Sequence, residues 1–165
     1  MTAKITIDQW APLPGSLPDI VAPDTVYVLP TQAPRDSYGP QIPLYTDNVR
    51  YFPKEARIAG APVEFATSEG TRKYVQHFSV DPEVWALGLV LLTTTSDWLI
   101  FTVQQFIALR SRSQGWSEEE AKELPLKLSI VETSTSRNLQ VEGSGADVLE
   151  ALRIFRRDEL RERRD

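Results

Sequence analysis

The feature that most constrains this chain is one long apolar stretch, from Val84 to Leu109. It reads VWALGLVLLTTTSDWLIFTVQQFIAL, and no other run in the 165 residues matches its length and hydrophobicity. It separates a proline-rich N-terminal half from a charged C-terminal tail. Whatever the chain folds into must therefore cover this stretch, either with protein or with lipid.

The stretch predicts two helices. Val84 to Leu92 is apolar on every side, which is typical of a helix that is buried all round, and Asp81 with Pro82 would start it. Residues 93–96 then interrupt the pattern, because hydroxyl and β-branched residues favour helix caps over helix interiors. Asp97 to Ser111 is predicted to be the second helix.

A membrane span is the alternative for the same stretch. A helix of its 26 residues would measure about 39 Å, enough to cross a hydrocarbon core of about 30 Å. Asp97 opposes this, because a carboxylate near mid-span costs about 2.5–3.5 kcal/mol on insertion scales. We therefore expect the stretch to be covered by protein. This favours a cytoplasmic protein over one associated with an inner membrane.

Prolines dominate the N-terminal half, where ten of the twelve lie between Pro12 and Pro62. Because proline fixes φ and biases the preceding residue to extended geometry, strands and extended loops are expected there. The predicted elements are an edge strand over Lys4–Ile7, a buried strand over Thr25–Leu29, a hairpin or irregular pair over Ile42–Tyr45 and Val49–Phe52, a two-turn helix over 53–60, and strands over Val63–Ala66 and Arg72–Phe78. Together they predict a small mixed sheet.

The first 24 residues are interpreted as a proline-rich extended arm. Its apolar side chains are spaced as anchors along a surface: Trp10, Leu13, Leu17 and Ile20. Two alternatives are open at this point. The arm lies on its own domain, or it embraces a partner subunit.

The C-terminal third predicts a ββα unit. Ser117 opens a short helix as the first residue of a capping box, and Ser144 does the same for a longer one. Between them, Leu126–Thr133 and Asn138–Glu142 alternate apolar and polar residues, as strands of a hairpin do. The second helix has its inner side formed by Val148, Leu149, Leu152 and Phe155.

These elements define an α+β chain with four regions. They are the arm (1–24), a small mixed-sheet region (25–80), an apolar helical region (81–113) and the ββα module (117–165). The fold class is thus a small N-terminal mixed sheet, central apolar helices and a C-terminal ββα unit.

Few residues carry recognisable chemistry. There is no cysteine, which removes thiolate metal sites and cysteine nucleophiles, and the net charge of −5 argues against binding nucleic acid. Phosphate-binding and nucleophile motifs are absent. His77 is interpreted as a half-buried strand residue rather than a base. Asp97 is interpreted as a carboxylate at a helix N-terminus, with a buried functional acid or an interface salt bridge as the alternatives. No catalytic, cofactor-binding or metal residue is predicted.

Three segments carry a resemblance to a known group of proteins. They are RYFPKEARIAGAPVEFA, LLTTTSDWLIFTVQQF and LKLSIVETSTSRNLQVEGSGADVLEALRIF, which cover much of the chain outside the arm. Their layout resembles small actinobacterial-type proteins of bacterial conflict (defence) systems, some of them effector-associated adaptors. The resemblance implies an adaptor or accessory subunit and carries over no functional residue.

The sequence therefore predicts a non-enzymatic interaction or assembly subunit that binds a protein partner or forms a homo-oligomer. Two helices that are apolar on most sides are hard to cover with a small sheet, so part of their surface is expected to meet another chain. The predicted interface residues are Trp85, Leu89, Trp98, Phe101 and Phe106. The alternatives are a membrane-associated protein anchored through 84–109 and an enzyme of unknown type.

Overall fold

The computed structural model describes residues 3–32, 42–46, 49–67, 72, 74–75, 85–92, 97–133 and 137–164. The elements in chain order are β1 (Lys4–Ile7), β2 (Val26–Leu29), β3 (Tyr45–Thr46), α1 (Phe52–Ile58), β4 (Val63–Phe65), β5 (Tyr74–Val75), β6 (Trp85–Leu91), α2 (Asp97–Gln114), α3 (Glu118–Glu123), β7 (Pro125–Glu132), β8 (Arg137–Ser144) and α4 (Gly145–Arg164). This composition confirms the α+β class.

One mixed sheet organises these elements. Its six strands run in the order β1-β8-β7-β6-β2-β4, and a separate pair is formed by β3 and β5. Pairing is parallel between β6 and β7 and between β2 and β4, and antiparallel elsewhere in the six-stranded sheet. Strands from the arm, the N-terminal half, the apolar stretch and the C-terminal hairpin therefore share a single sheet.

The predicted helix over Val84 to Leu92 is wrong, because Trp85–Leu91 forms the strand β6. β6 lies inside the sheet, where Leu87, Leu89 and Leu91 face one layer and Val90 faces the other. A strand covered on both sides is apolar throughout, so its pattern matches that of a buried helix. The caps expected at Asp81 and Pro82 lie outside the described residues.

The second half of the apolar stretch is helical, as predicted. α2 begins at Asp97, and Gly115 follows its last residue with a φ of 71°, in the left-handed region that glycine adopts readily. α2 and α3 together connect the parallel strands β6 and β7. Across the described residues, no helix combines the length and hydrophobicity that a membrane crossing requires.

The C-terminal ββα unit is confirmed. Ser117 Oγ accepts the amide of Glu120 at 3.2 Å, and Ser144 Oγ accepts the amide of Asp147 at 3.1 Å. These are the two predicted helix starts, because a hydroxyl at the N-cap satisfies an amide that the first turn leaves unpaired. β7 and β8 pair along their full length, and α4 packs back on them.

Among the described residues of the N-terminal half, one predicted pairing is wrong. The predicted short helix is present as α1, and the buried strand is present as β2. The expected pairing of Ile42–Tyr45 with Val49–Phe52 does not form. Val49 to Tyr51 is a turn that leads into α1, while β3 pairs in parallel with β5. The prediction failed because β-branched and aromatic residues favour strands but do not determine which strands pair with each other.

The two faces of the sheet are covered differently. The helices bury one face in a continuous core that includes Leu128, Ile130, Val141 and Phe106. The arm covers part of the other face, where Trp10 packs against a smaller apolar cluster and its carbonyl accepts the Asn138 side-chain amide at 3.1 Å. Leu17 and Ile20 are not anchors, since they are 43% and 78% exposed.

Candidate interaction surface

The two edges of the sheet differ in what covers them. At the β4 edge the outward carbonyl of Val63 accepts a hydrogen bond from Arg57 Nη1 at 3.1 Å. The Phe65 ring packs edge-on against Tyr45, with ring centroids 5.2 Å apart, so the β3–β5 pair lies beside this strand. The amide of Val63 also donates to the Ala61 carbonyl at 2.9 Å, so the backbone groups of Val63 and the ring of Phe65 are engaged within the chain.

At the opposite edge, β1 presents backbone groups to the outside. The amide of Asp8 donates to the carbonyl of Asn138 at 2.8 Å, which shows the register of hydrogen bonding between β1 and β8. Because hydrogen-bonding direction alternates along an antiparallel strand, Lys4 and Thr6 also point toward β8. The amides and carbonyls of Ile5 and Ile7 point the other way. Among the described strands none pairs on that side of β1.

The same edge exposes apolar side chains. Ile5 and Ile7 pair with the core residues Val141 and Leu139, so they lie on the helix-covered face, yet they remain 36% and 46% exposed. Ile154 of α4 is 46% exposed. A groove of about 300 Å³ separates β1 from α4, and we call it the edge groove; its lining is Ala3, Ile5, Asp147, Glu150, Ala151, Ile154 and Phe155.

An ion pair helps to position the far wall of the edge groove. Arg137 Nη2 lies 2.8 Å from Glu132 Oε2, and the Glu132 side chain is buried. The guanidinium of Arg137 also packs over the Phe155 ring, 4.8 Å from its centroid. The pair thus ties the first residue of β8 to the last residue of β7 and holds Phe155 against the sheet.

Charges alternate across the other face of the same edge. Lys127 Nζ lies 3.7 Å from Glu142 Oε1, and Glu142 is opposite Lys4 in the register of β1 and β8. Lys127, Glu142 and Lys4 therefore form a row of alternating sign that runs outward to the edge, and we call it the charge row. Opposite charges on neighbouring strands stabilise pairing modestly.

A small cavity with both apolar and polar lining residues lies between the arm and the sheet. It measures about 200 Å³ and is lined in part by Trp10, Leu13, Gly88, Ser129 and Gln140. Gln140 Nε2 donates to Ser129 Oγ at 3.3 Å. A Cβ at position 88 would come within 3.1 Å of Leu29 and Thr31, so glycine keeps the floor of this cavity open.

The predicted interface residues do not gather on one surface. Leu89 and Phe106 have no exposed surface, because Leu89 faces the helical core and Phe106 packs on the Phe52 ring at 5.3 Å. These two residues were predicted to lie at an interface, but neither is available on the surface of this chain. Trp98 and Phe101 are partly buried against the same core, and their rings pack edge-on with centroids 5.8 Å apart. The side chain of Trp85 lies outside the described residues.

The other singled-out residues add no site. His77 lies outside the described residues. Asp97 is the first residue of α2, and its side chain is not among those described. In the part of the chain that the structure describes, no three His, Asp or Glu side chains are grouped as metal ligands would be.

Sequence reasoning placed β1 at an edge but did not find the edge groove. The signal that was available is the alternation of Lys4–Ile7, which puts two isoleucines on one face of an edge strand. Ile154 gave no signal, because it lies beside the predicted inner stripe of α4 and its neighbourhood depends on how α4 packs.

No protein-family model matches this chain, and neither a curated protein nor a solved structure matches it. What the chain can do is thus argued from its own surface. The open edge of β1, the edge groove and the charge row lie together at one end of the sheet.

Proposed function

We propose that this chain is a non-enzymatic interaction subunit that binds a protein segment along β1. The observation that carries the proposal is the edge groove beside an edge strand whose outward backbone groups are unpaired by any described strand. A contiguous apolar groove next to such a strand is typical of a protein-binding surface.

Strand addition is the binding mode that this geometry supports. An extended segment laid along β1 would hydrogen-bond to the amides and carbonyls of Ile5 and Ile7, which gives affinity with little dependence on sequence. Its alternate side chains would enter the edge groove against Ile154 and Phe155, which gives selectivity for apolar residues. Asp147 and Glu150 at the rim favour a basic residue at one end of the segment.

The biological setting extends this proposal. We further propose a recruiting role in a cytoplasmic defence system, on the basis of the resemblance of the C-terminal hairpin and helix to effector-associated adaptors. The strand-addition surface supplies a physical means of recruitment, because it recognises an extended segment and needs no catalytic group.

A peptide selection tests the proposed function. Wild-type protein, immobilised at low density, is used to select a phage-displayed library of random short peptides, with counter-selection on the Ile5→Lys/Ile154→Glu variant. Selected peptides should alternate apolar residues and bind the variant at least about ten-fold more weakly, because a lysine and a glutamate would fill the apolar groove.

Ile20→Lys is the matched control, since it also places a charge at an exposed isoleucine, but on the arm. It should leave peptide binding unchanged. Failure to select any peptide that distinguishes the wild type from the groove variant would contradict the proposed function.

A further inference from the structure

We infer that the segment that pairs with β1 is β1 of a second copy of this chain. A two-fold axis that passes between the two Thr6 residues would relate the copies. This rests on the proposed function and names its partner. The two six-stranded sheets would then join edge to edge into one continuous sheet. Such an interface is isologous, because the same residues serve on both sides.

The sequence of the edge strand is complementary to itself. Residues Lys4 to Asp8 read Lys-Ile-Thr-Ile-Asp. In an antiparallel pair centred on Thr6, Lys4 is opposite Asp8 of the second copy, and Ile5 is opposite Ile7. Each isoleucine therefore meets an isoleucine on the same face. Asp8 is the first residue after β1 and has a φ of 56°, so Lys4 of one chain would end beside the bend that holds Asp8 of the other.

The hydrogen-bonding direction fits this register. Ile5 and Ile7 are the strand residues whose amides and carbonyls point away from β8, as the bond from the Asp8 amide to the Asn138 carbonyl shows. In the proposed register they face each other, so each Ile5–Ile7 pair exchanges both of its backbone hydrogen bonds. A register centred on Ile5 would also match the backbone, but it would place Lys4 opposite Thr6 and forgo both ion pairs.

The charge row continues across the proposed interface. Lys127, Glu142 and Lys4 alternate in sign up to the edge, and the next position outward would hold Asp8 of the second copy. Asp8 is exposed, and its Oδ1 accepts the Asn138 amide at 2.9 Å. The other carboxylate oxygen remains to meet the lysine. The row would thus read plus, minus, plus, minus from one chain into the next.

The edge groove is filled by the same arrangement. A two-fold axis perpendicular to the sheet keeps both α4 helices on one face, so Ile5, Ile7 and Ile154 of the two chains would line a common apolar seam. Glu150, Ile154 and Arg157 lie on one stripe of α4, at the helical spacing of four and three residues.

A charge-exchange experiment tests this pairing. Sedimentation velocity of the wild type should show a species of twice the 18.6 kDa of one chain. Lys4→Asp and Asp8→Lys should each weaken self-association by roughly ten-fold or more, because two opposite-charge pairs become two like-charge pairs. An equimolar mixture of the two variants should restore dimers, and native mass spectrometry should identify them as heterodimers. A mixture that stays monomeric would overturn the inference.

A second variant guards against misfolding. Asp8→Lys removes the carboxylate that accepts the Asn138 amide, whereas Asp8→Asn retains an acceptor and tolerates the positive φ of 56° at this position. Adding Asp8→Asn to Lys4→Asp should recover several-fold of the lost association, because the like charges no longer oppose each other. No recovery would contradict the register. A wild type that is monomeric at every concentration would refute the second copy as partner, while the peptide selection would still decide whether the edge binds a different protein.

Discussion

The two edge strands of this sheet show opposite solutions to the same physical problem. Every edge strand carries backbone groups that its sheet does not pair, and these groups invite pairing with another chain. At β4 the chain itself engages the outward groups of Val63, whose amide donates to the Ala61 carbonyl at 2.9 Å and whose carbonyl accepts Arg57 Nη1 at 3.1 Å. Beside this strand, the Tyr45 hydroxyl donates to the Val28 carbonyl of β2 at 2.9 Å. At β1 the outward groups of Ile5 and Ile7 stand beside exposed apolar side chains.

The β4 edge contributes to the folding stability of the chain, whereas the β1 edge leaves surface exposed for binding. Tyr45 is fully buried and packs on both Phe65 and Tyr74, so the β4 edge is part of the core. Ile5 and Ile7 are only half covered by their own chain. Substitutions at β4 should therefore change mainly the free energy of unfolding, and substitutions at β1 should change mainly self-association.

The largest effect is expected from truncation at the covered edge. Tyr45→Ala should lower the free energy of unfolding by about 3–5 kcal/mol, the range seen when a buried aromatic side chain is deleted. Ile5→Ala should lower it by about 1–2 kcal/mol, because 36% of that residue is exposed and only the covered part contributes. Urea denaturation of the two variants, measured below the association range, checks the contrast. Similar losses for both would break the comparison.

Proline substitution sharpens the comparison within β1 itself. Thr6→Pro removes an amide that points to β8 and should cost about 1–3 kcal/mol of folding stability. Ile5→Pro removes an amide that points outward, a placement that edge strands tolerate, so stability should change little while self-association is lost. Denaturation and sedimentation velocity on both variants report the two quantities. If Ile5→Pro destabilised the monomer as much as Thr6→Pro does, the assigned hydrogen-bonding direction would be wrong.

The covered edge should also respond to alkaline pH. Burial raises the pKa of the Tyr45 hydroxyl above its ordinary value of 10.0, although hydrogen bonds from Thr67 partly oppose this. Above pH 10 the unfolded chain therefore loses this proton before the folded chain does. The free energy of unfolding should fall as pH rises through that range.

Tyr45→Phe separates this titration from the rest of the chain. The variant should lose about 0.5–1.5 kcal/mol at neutral pH, because the hydrogen bond to the Val28 carbonyl is removed. Its stability should then decline less steeply above pH 10 than that of the wild type. Parallel slopes in urea titrations from neutral to alkaline pH would show that Tyr45 does not contribute.

The smallest effect is expected in the charge row at the open edge. Glu142→Gln should lower the stability of the monomer by less than about 1 kcal/mol, because the Lys127–Glu142 pair is half exposed and screened by water. Thermal unfolding at low and high salt gives the measurement. A larger loss that persisted at high salt would show that Glu142 has a buried role which its exposure does not indicate.

Sequence reasoning succeeded where local signals decide the structure. Lys4–Ile7 alternates and was predicted as an edge strand, and Ser117 and Ser144 marked both C-terminal helix starts. It failed at β6, because a strand covered on both sides has no alternation, and a continuous apolar run predicts a helix as readily as a strand. The hairpin over residues 42–52 failed because β3 pairs with the distant β5, a choice made by tertiary packing.

The candidate site was harder to predict than the fold. Two of the seven residues that line the edge groove, Ala3 and Ile5, lie at or beside β1. The other five come from α4, about 150 residues further along the chain. The sequence pattern of neither segment predicts that the two will lie next to each other. Of the five interface residues predicted from hydrophobicity, Leu89 and Phe106 are fully buried, because the most apolar residues tend to lie in the core.

Amide hydrogen exchange along β1, followed residue by residue by NMR over a range of protein concentrations, tests whether a second chain pairs with the outer side of β1. We expect the Thr6 amide to be protected at every concentration, because it bonds within the chain. The Ile5 and Ile7 amides should gain protection only as the concentration rises and a second β1 pairs with them. Outward amides that exchange rapidly even in the most concentrated sample would contradict the account.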